Sequence, residues 1–144
     1  MADLDLPDLN LWLALADPDH AHHPRARRYW ETEAAAEIAF CRITMLGFLR
    51  LLTNTRVMHG SPLDPAEAWV AYHAFASLPE VCFLDESRLA ETQFVEWTHL
   101  SDFAPHRWTD AWIAAIARVQ NARVVSFDAD FYTFPDLRFL HLKP

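Results

Sequence analysis

Three aspartates stand where side chains from distant parts of a chain can meet. Asp8 follows the apolar opening LDLP, Asp110 opens the helical stretch in HRWTDAWIAAIA, and Asp128 closes the strand-like run in ARVVSFDADF. In a parallel α/β sheet the carboxyl ends of the strands share one edge, and ligands bind in the crevice outside it. Carboxylates gathered there repel one another unless a divalent cation sits between them. The chemistry this spacing points to is a Mg²⁺ or Mn²⁺ site acting on a phosphate.

Taken singly, each acid has a plainer role. Asp110 after Thr109 suits the first turn of any helix, where the dipole favours negative charge. Asp8 before Asn10 can be a turn acid, and Asp128 with Asp130 can form a turn after a strand. It is their joint placement at strand ends that favours the metal. The pairs Asp3-x-Asp5 and Asp128-x-Asp130 also raise a phosphatase of the haloacid dehalogenase type. That chemistry needs the pair directly after the first strand, so one pair comes too early and the other too late. His20, His22 and His23 raise zinc, but neighbouring histidines diverge, no cysteine is near, and the stretch reads as a loop. Cys41 and Cys82 lie in apolar strand-like runs and read as buried reduced thiols of a cytosolic protein.

The elements that must position the acids follow from pattern. Leu4 to Leu9 reads as a first strand, with Pro7 marking a bulge or strand end. Asn10 is placed to cap a first helix, NLWLALAD. A second helix is expected from about Pro24 to Ala36, with proline in its first turn, and Ile38 to Cys41 reads as a buried strand. ITMLGFLRLLT follows as a helix capped by Thr44. Asp64, Pro65 and Glu67 announce another helix with a capping box. Val81–Leu84, Arg123–Ser126 and Arg138–Leu142 complete the strands, and helices are expected over Ser87–His99 and Thr109–Gln120. Strands separated by helical segments of this length imply a parallel α/β sheet with right-handed crossovers.

The 144 residues, 52% hydrophobic, suit one domain spanning 1–144. No apolar run approaches the roughly 20 residues of a membrane span, and the acidic start MADLDLPD lacks the basic flank of a signal peptide. The expectation is a cytoplasmic protein without membrane contact. A net charge of −8 opposes bulk attraction to nucleic acid. Lys143 is the only lysine, and arginines can grip phosphate bidentately in a local groove. Arg25, Arg27 and Arg28 read as a solvated helix face that could touch an RNA backbone. Trp12, Trp69 and Trp112 read as core or dimer contacts, and Trp108 as a candidate for base stacking.

Taken together and in order, DLNLWLAL, ITMLGFLRLL, HRWTDAWIAAIA and VVSFDADF resemble the PIN-domain nucleases, and among them the VapC-type toxins of bacterial toxin–antitoxin pairs. The resemblance implies a three-layer α/β/α sandwich and a metal-dependent endoribonuclease. It further implies a homodimer, a cognate VapB-type antitoxin, and transfer or ribosomal RNA as substrate. Carried over by position, Asp8, Asp110 and Asp128 become metal ligands and catalytic residues, with Asp130 as an auxiliary ligand. Asn10, Thr109 and Ser126 become supporting polar groups. Arg50, on the helix that carries Met45, reads from its place there as a cleft-facing contact for RNA or antitoxin.

One position departs. Met45 stands where the family usually carries an acid, and a thioether is a poor ligand for a hard cation. Glu31, Glu33 and Glu37 lie too far from the carboxyl edge to stand in, which leaves Asp130. The departure keeps open a catalytically silent protein that binds antitoxin or RNA.

Overall fold

The computed structural model describes residues 3–144. Five parallel strands, β1 (Leu4–Pro7), β2 (Glu37–Cys41), β3 (Val81–Leu84), β4 (Arg123–Ser126) and β5 (Phe139–His141), form one sheet in the order β3-β2-β1-β4-β5. Helices α1 (Leu9–Ala16), α2 (His23–Thr32), α3 (Arg42–Leu52), α4 (Pro65–Ala76), α5 (Leu89–Thr98) and α6 (Trp108–Gln120) connect them. The order reverses at β1: the chain builds outward to β3, then returns to place β4 on β1's other side. The crevice at such a switch point lies between the carboxyl ends of β1 and β4, just where Asp8 and Asp128 leave their strands.

Side-chain alternation sorts the layers. Ile38 and Phe40 of β2 join Trp12, Met45, Phe48 and Tyr72 in one core cluster, while Ala39 and Cys41 face the opposite one with Leu6, Val124 and the alanines of α6. The sheet is thus covered on both faces, by α1, α3 and α4 on one and by α5 and α6 on the other, as in an α/β/α sandwich. The alanines Ala111, Ala114, Ala115 and Ala117 are all fully buried and let α6 lie close to the strands.

Local chemistry moves several boundaries from their expected places. β1 stops at Pro7 rather than running to Leu9, and the next amide, Asp8 N–H, pairs with Val125 O at 2.9 Å. The cap of α1 is Asp8, not Asn10: Asp8 is extended and its carboxylate accepts Leu9 N–H at 2.8 Å. Cys41 rather than Thr44 caps α3, while Thr44 sits three residues in and accepts the Cys41 amide with its hydroxyl. α2 ends at Thr32, short of Ala36, and the chain after it is drawn inward where Ala35 N–H reaches Asp5. The capping box of Asp64 and Glu67 forms as read. Gly47 of α3 has a structural reason: a Cβ there would come within 2.6 Å of Leu9 in α1.

A fully buried acid lies beneath the switch point. Asp5 of β1 is 0% exposed and accepts bonds from Arg123 Nε (2.8 Å), Arg123 Nη2 (2.9 Å) and Tyr29 Oη (2.6 Å). Its oxygens are fully engaged, which removes the Asp3-x-Asp5 pair from any phosphatase chemistry. The bond network ties β1, β4 and α2 together directly under the crevice.

Candidate active site

Asp8 is the best-defined member of the site. It ends β1, caps α1 and is 3% exposed. One carboxylate oxygen accepts Leu9 N–H, and the other accepts the Ser126 hydroxyl at 2.9 Å. Ser126, itself 1% exposed at the end of β4, also accepts Asp128 N–H at 3.0 Å. A single hydroxyl therefore fixes the two acids across the switch point. Burial, reinforced by the charges of Asp110 and Asp128, pushes the Asp8 carboxyl up to about 6. Two or three acids held this way are an electrostatic burden in the metal-free protein.

Asp110 is the third residue of α6, half-buried, and its carboxyl is raised first by burial and further by Asp128 and Asp130, with Arg107 working against them. Arg107 was not singled out from the sequence. It is 6% exposed and reaches Asp110 at 3.5 Å and Asp130 at 3.3 Å. Its guanidinium stacks over Phe134 at 5.5 Å, and its Nε is buried with no acceptor. A cavity of about 230 Å³ opens beside it, lined by Trp97, Phe103, His106, Asp130 and Phe134. The clue in the sequence was its position: a cation at a helix N-terminus opposes the dipole and calls for acids to hold it there.

The remaining expected residues separate. Asn10 is exposed and lines a cleft with Asp128. Thr109 is exposed at the start of α6. Asp130 is exposed, and one of its oxygens is engaged by Arg107 at 3.3 Å. Arg50 lies exposed in the last turn of α3. That helix starts at the carboxyl edge, and at 1.5 Å per residue Arg50 sits about 12 Å along it. Met45 is 7% exposed in the core cluster of Trp12 and Phe40, with Arg42 Nη1 at 3.6 Å from its sulfur.

A second acid at this edge also escaped the sequence reading. Glu86, two residues past β3, accepts Trp112 Nε1–H at 2.5 Å and Ile43 N–H at 3.2 Å. It thereby joins the start of α3 to α6, near the place where Met45 leaves no charge.

Among the described residues, no three histidine, cysteine, aspartate or glutamate side chains already stand close enough to chelate a metal ion. The donor set nonetheless fits a hard divalent cation in kind. It consists of carboxylate oxygens and a hydroxyl, with neither sulfur nor imidazole among them. Burial first, and mutual repulsion after it, raise Asp8 and Asp110, and a cation would offset both.

The chain matches the model of the PIN domain over residues 6–137. Ribonuclease VapC41 of Mycobacterium tuberculosis is 38% identical over 150 residues, covering 94% of this chain and 97% of that protein. Ribonuclease VapC44 of the same organism is 32% identical, covering 85% and 84%. Among solved structures, Mycobacterium tuberculosis VapC20, described as a Sarcin-Ricin loop cleaving toxin, superposes with a TM-score of 0.73 at 23% identity, covering 98% of this chain and 99% of that one. VapBC2 from Rickettsia felis, bound to a DNA fragment from its promoter, gives 0.69 at 14% identity over 97% and 99%. These two share the fold.

Proposed function

The chain belongs to the PIN-domain family, and from that premise we propose that it is the endoribonuclease toxin of a type II toxin–antitoxin pair, dependent on Mg²⁺ or Mn²⁺. The observation behind this reading is the buried Asp8 carboxylate, held by Ser126 across the switch point and raised first by burial and then by the charges of Asp110 and Asp128. A protein keeps such a cluster at a cost to its own stability, and a bound cation turns that cost into affinity.

In this reading Asp8, Asp110 and Asp128 hold the cation. When bound, it supplies a water of lowered pKa and stabilises charge on the phosphate oxygens. Ser126 orients Asp8 and fixes the backbone at Asp128. Arg107 balances Asp110 and Asp130. With water as the nucleophile no 2′,3′-cyclic phosphate forms, and with the 3′ oxygen leaving and taking up a proton the products carry 5′-phosphate and 3′-hydroxyl ends. RNA is the proposed substrate, since the relatives are ribonucleases, and transfer or ribosomal RNA is the class the family resemblance implies.

The proposed partner is a VapB-type antitoxin, in keeping with the toxin–antitoxin assemblies among the structural neighbours. A chain of net charge −8 with acids in its crevice suits an arginine-bearing antitoxin tail. A homodimer is supported by exposed Leu46, Trp69 and Val70 on α3 and α4. Among the described residues no helix is long and apolar enough to cross a membrane.

The test is cleavage of total cellular RNA by antitoxin-free protein in Mg²⁺, Mn²⁺ or EDTA, beside Asp110→Asn. Discrete cuts that require metal and vanish in the variant are expected. Folded protein that makes no cuts would overturn the reading in favour of a silent binding protein, to which the buried Met45 points.

A further inference from the structure

The histidines of DPDHAHHP serve neither the metal nor the core. The segment between α1 and α2 is tightly bonded: Asp17 accepts Asp19 N–H with its carboxylate, His20 N–H reaches Asp17 O, and His23 N–H reaches His20 O. His23 is held back by Ala14 O at 2.6 Å. His20 and His22 are left at the rim. His22 stacks on Phe127 with ring centroids 4.6 Å apart and planes 23° apart, and His20 lies 5.6 Å from His22. Phe127 directly precedes Asp128 and is fixed from behind, because His141 Nε2–H donates to its carbonyl at 3.0 Å.

These side chains enclose a cleft of about 370 Å³, lined by Asn10, His20, His22, Phe127 and Asp128. Its makeup selects among ligands. Neither arginine nor lysine lines it, and Asp128 is acidic, so it does not suit a phosphate. It offers flat aromatic rings, the Asn10 amide and an imidazole. His20 Nδ1 accepts His22 N–H at 3.0 Å, which leaves Nε2–H as that ring's donor. Flat faces plus fixed donors and acceptors fit an unpaired nucleobase, which stacks through its face and bonds through its edge. The cleft shares Asp128 with the acid cluster, so a base held there belongs to the nucleotide beside the one whose phosphate is cut.

We propose that His22, stacked on Phe127, with His20 and Asn10 beside it, forms a subsite for one single-stranded nucleobase next to the scissile phosphate. The proposal rests on the ribonuclease reading. It makes His22 and Phe127 residues of RNA binding that touch neither the attacking water nor the cation.

The test uses Asp110→Asn protein in EDTA, which cannot cleave, and the four single-stranded homopentaribonucleotides as probes. At least one pentamer should move the His20 and His22 imidazole proton resonances by ring-current shifts, while His73 and His99 stay unmoved. Adding His22→Ala should weaken that pentamer about tenfold, the size of one lost stack, and His22→Phe should restore it. Unmoved His22 resonances with all four pentamers, or unchanged affinity in His22→Ala, would overturn the subsite. Wild-type cleavage of total RNA, run alongside, keeps the two readings apart: cuts by a protein whose His22 resonances never respond would sink the subsite and leave the ribonuclease standing.

Discussion

Asp8 shows how function and stability oppose each other at one side chain. Its carboxyl is pushed from 3.8 up to about 6 in the fold, so the folded state holds a proton that the unfolded chain releases. Ionised Asp8 thus destabilises the metal-free protein fully above pH 6, and the penalty fades as pH falls toward 3.8. About two pKa units correspond to ~3 kcal/mol. Asp8→Asn keeps the cap through its amide oxygen and turns its NH2 toward Ser126 Oγ as a donor in place of the accepting oxygen. It is expected to stabilise the protein by up to ~3 kcal/mol at pH 8 in EDTA, and by about half that near pH 5, while abolishing metal binding. Urea titrations at the two pH values measure this, and an equal effect at both would remove the titration argument. Arg107 carries the opposite sign. Replacing it by Met leaves Asp110 half-buried without its counter-charge, and a loss of roughly 2 kcal/mol is expected in EDTA, smaller when saturating Mn²⁺ takes over the balance. Thermal melts with and without Mn²⁺ decide it; an identical loss in both would mean that Arg107 supports packing alone. Asp8, Asp110 and Asp128 were legible because strand ends and helix starts are readable from pattern. Arg107, Glu86 and the His22–Phe127 stack were not, since each depends on partners 3 to 105 residues away whose approach is set by packing.

At the level of elements, the sequence carried periodicity well and direction poorly. The alanine-rich face of α6, the capping box at Asp64 and the apolar run of β2 were all readable, and each forms. Strand order was not, because a pattern of apolar runs defines layers without saying which strands become neighbours. The cap of α1 fell two residues from its expected place for a physical reason: Pro7 ends the ladder, and the first free acid, Asp8, is already positioned to accept the helix's opening amide. Arg50 lies in the last turn of α3, a helix that begins at the carboxyl edge. The same helix gives Met45 its test. Met45→Glu puts a carboxylate where 7% of the residue is exposed, one turn from the carboxyl edge. In EDTA this should cost about 2–4 kcal/mol. With Mn²⁺ the cost should shrink and cleavage should rise, because a carboxylate near the acid cluster gains a partner. Equal destabilisation with and without metal, and no gain in rate, would show that the start of α3 does not reach the cation.

On the scale of the whole molecule, an acidic protein is asked to handle an acidic polymer. With a net charge of −8 and a sequence pI near 5.3, long-range forces repel RNA, so recognition must rest on short-range contacts that screening does not erase. The most buried arginines are already committed to carboxylates. Arg107 and Arg123 are committed to Asp110, Asp130 and Asp5, and Arg25 to Glu33. Exposed Arg28, Arg50, Arg56, Arg88 and Arg118 have no carboxylate partner among the described residues. No arginine lines the cleft beside Asp128, so recognition there rests on the proposed cation and on stacking of the kind argued for His22. This has a measurable signature. Each phosphate neutralised on a single strand contributes a salt slope of about −0.7, so two contacts predict roughly a sevenfold rise in KM for RNA cleavage between 50 and 200 mM salt at fixed Mg²⁺. Screening of the net repulsion acts the other way and flattens it further. A rise beyond about a hundredfold would require some five phosphate contacts. That result would place a basic groove on this surface and remove stacking as the main source of affinity.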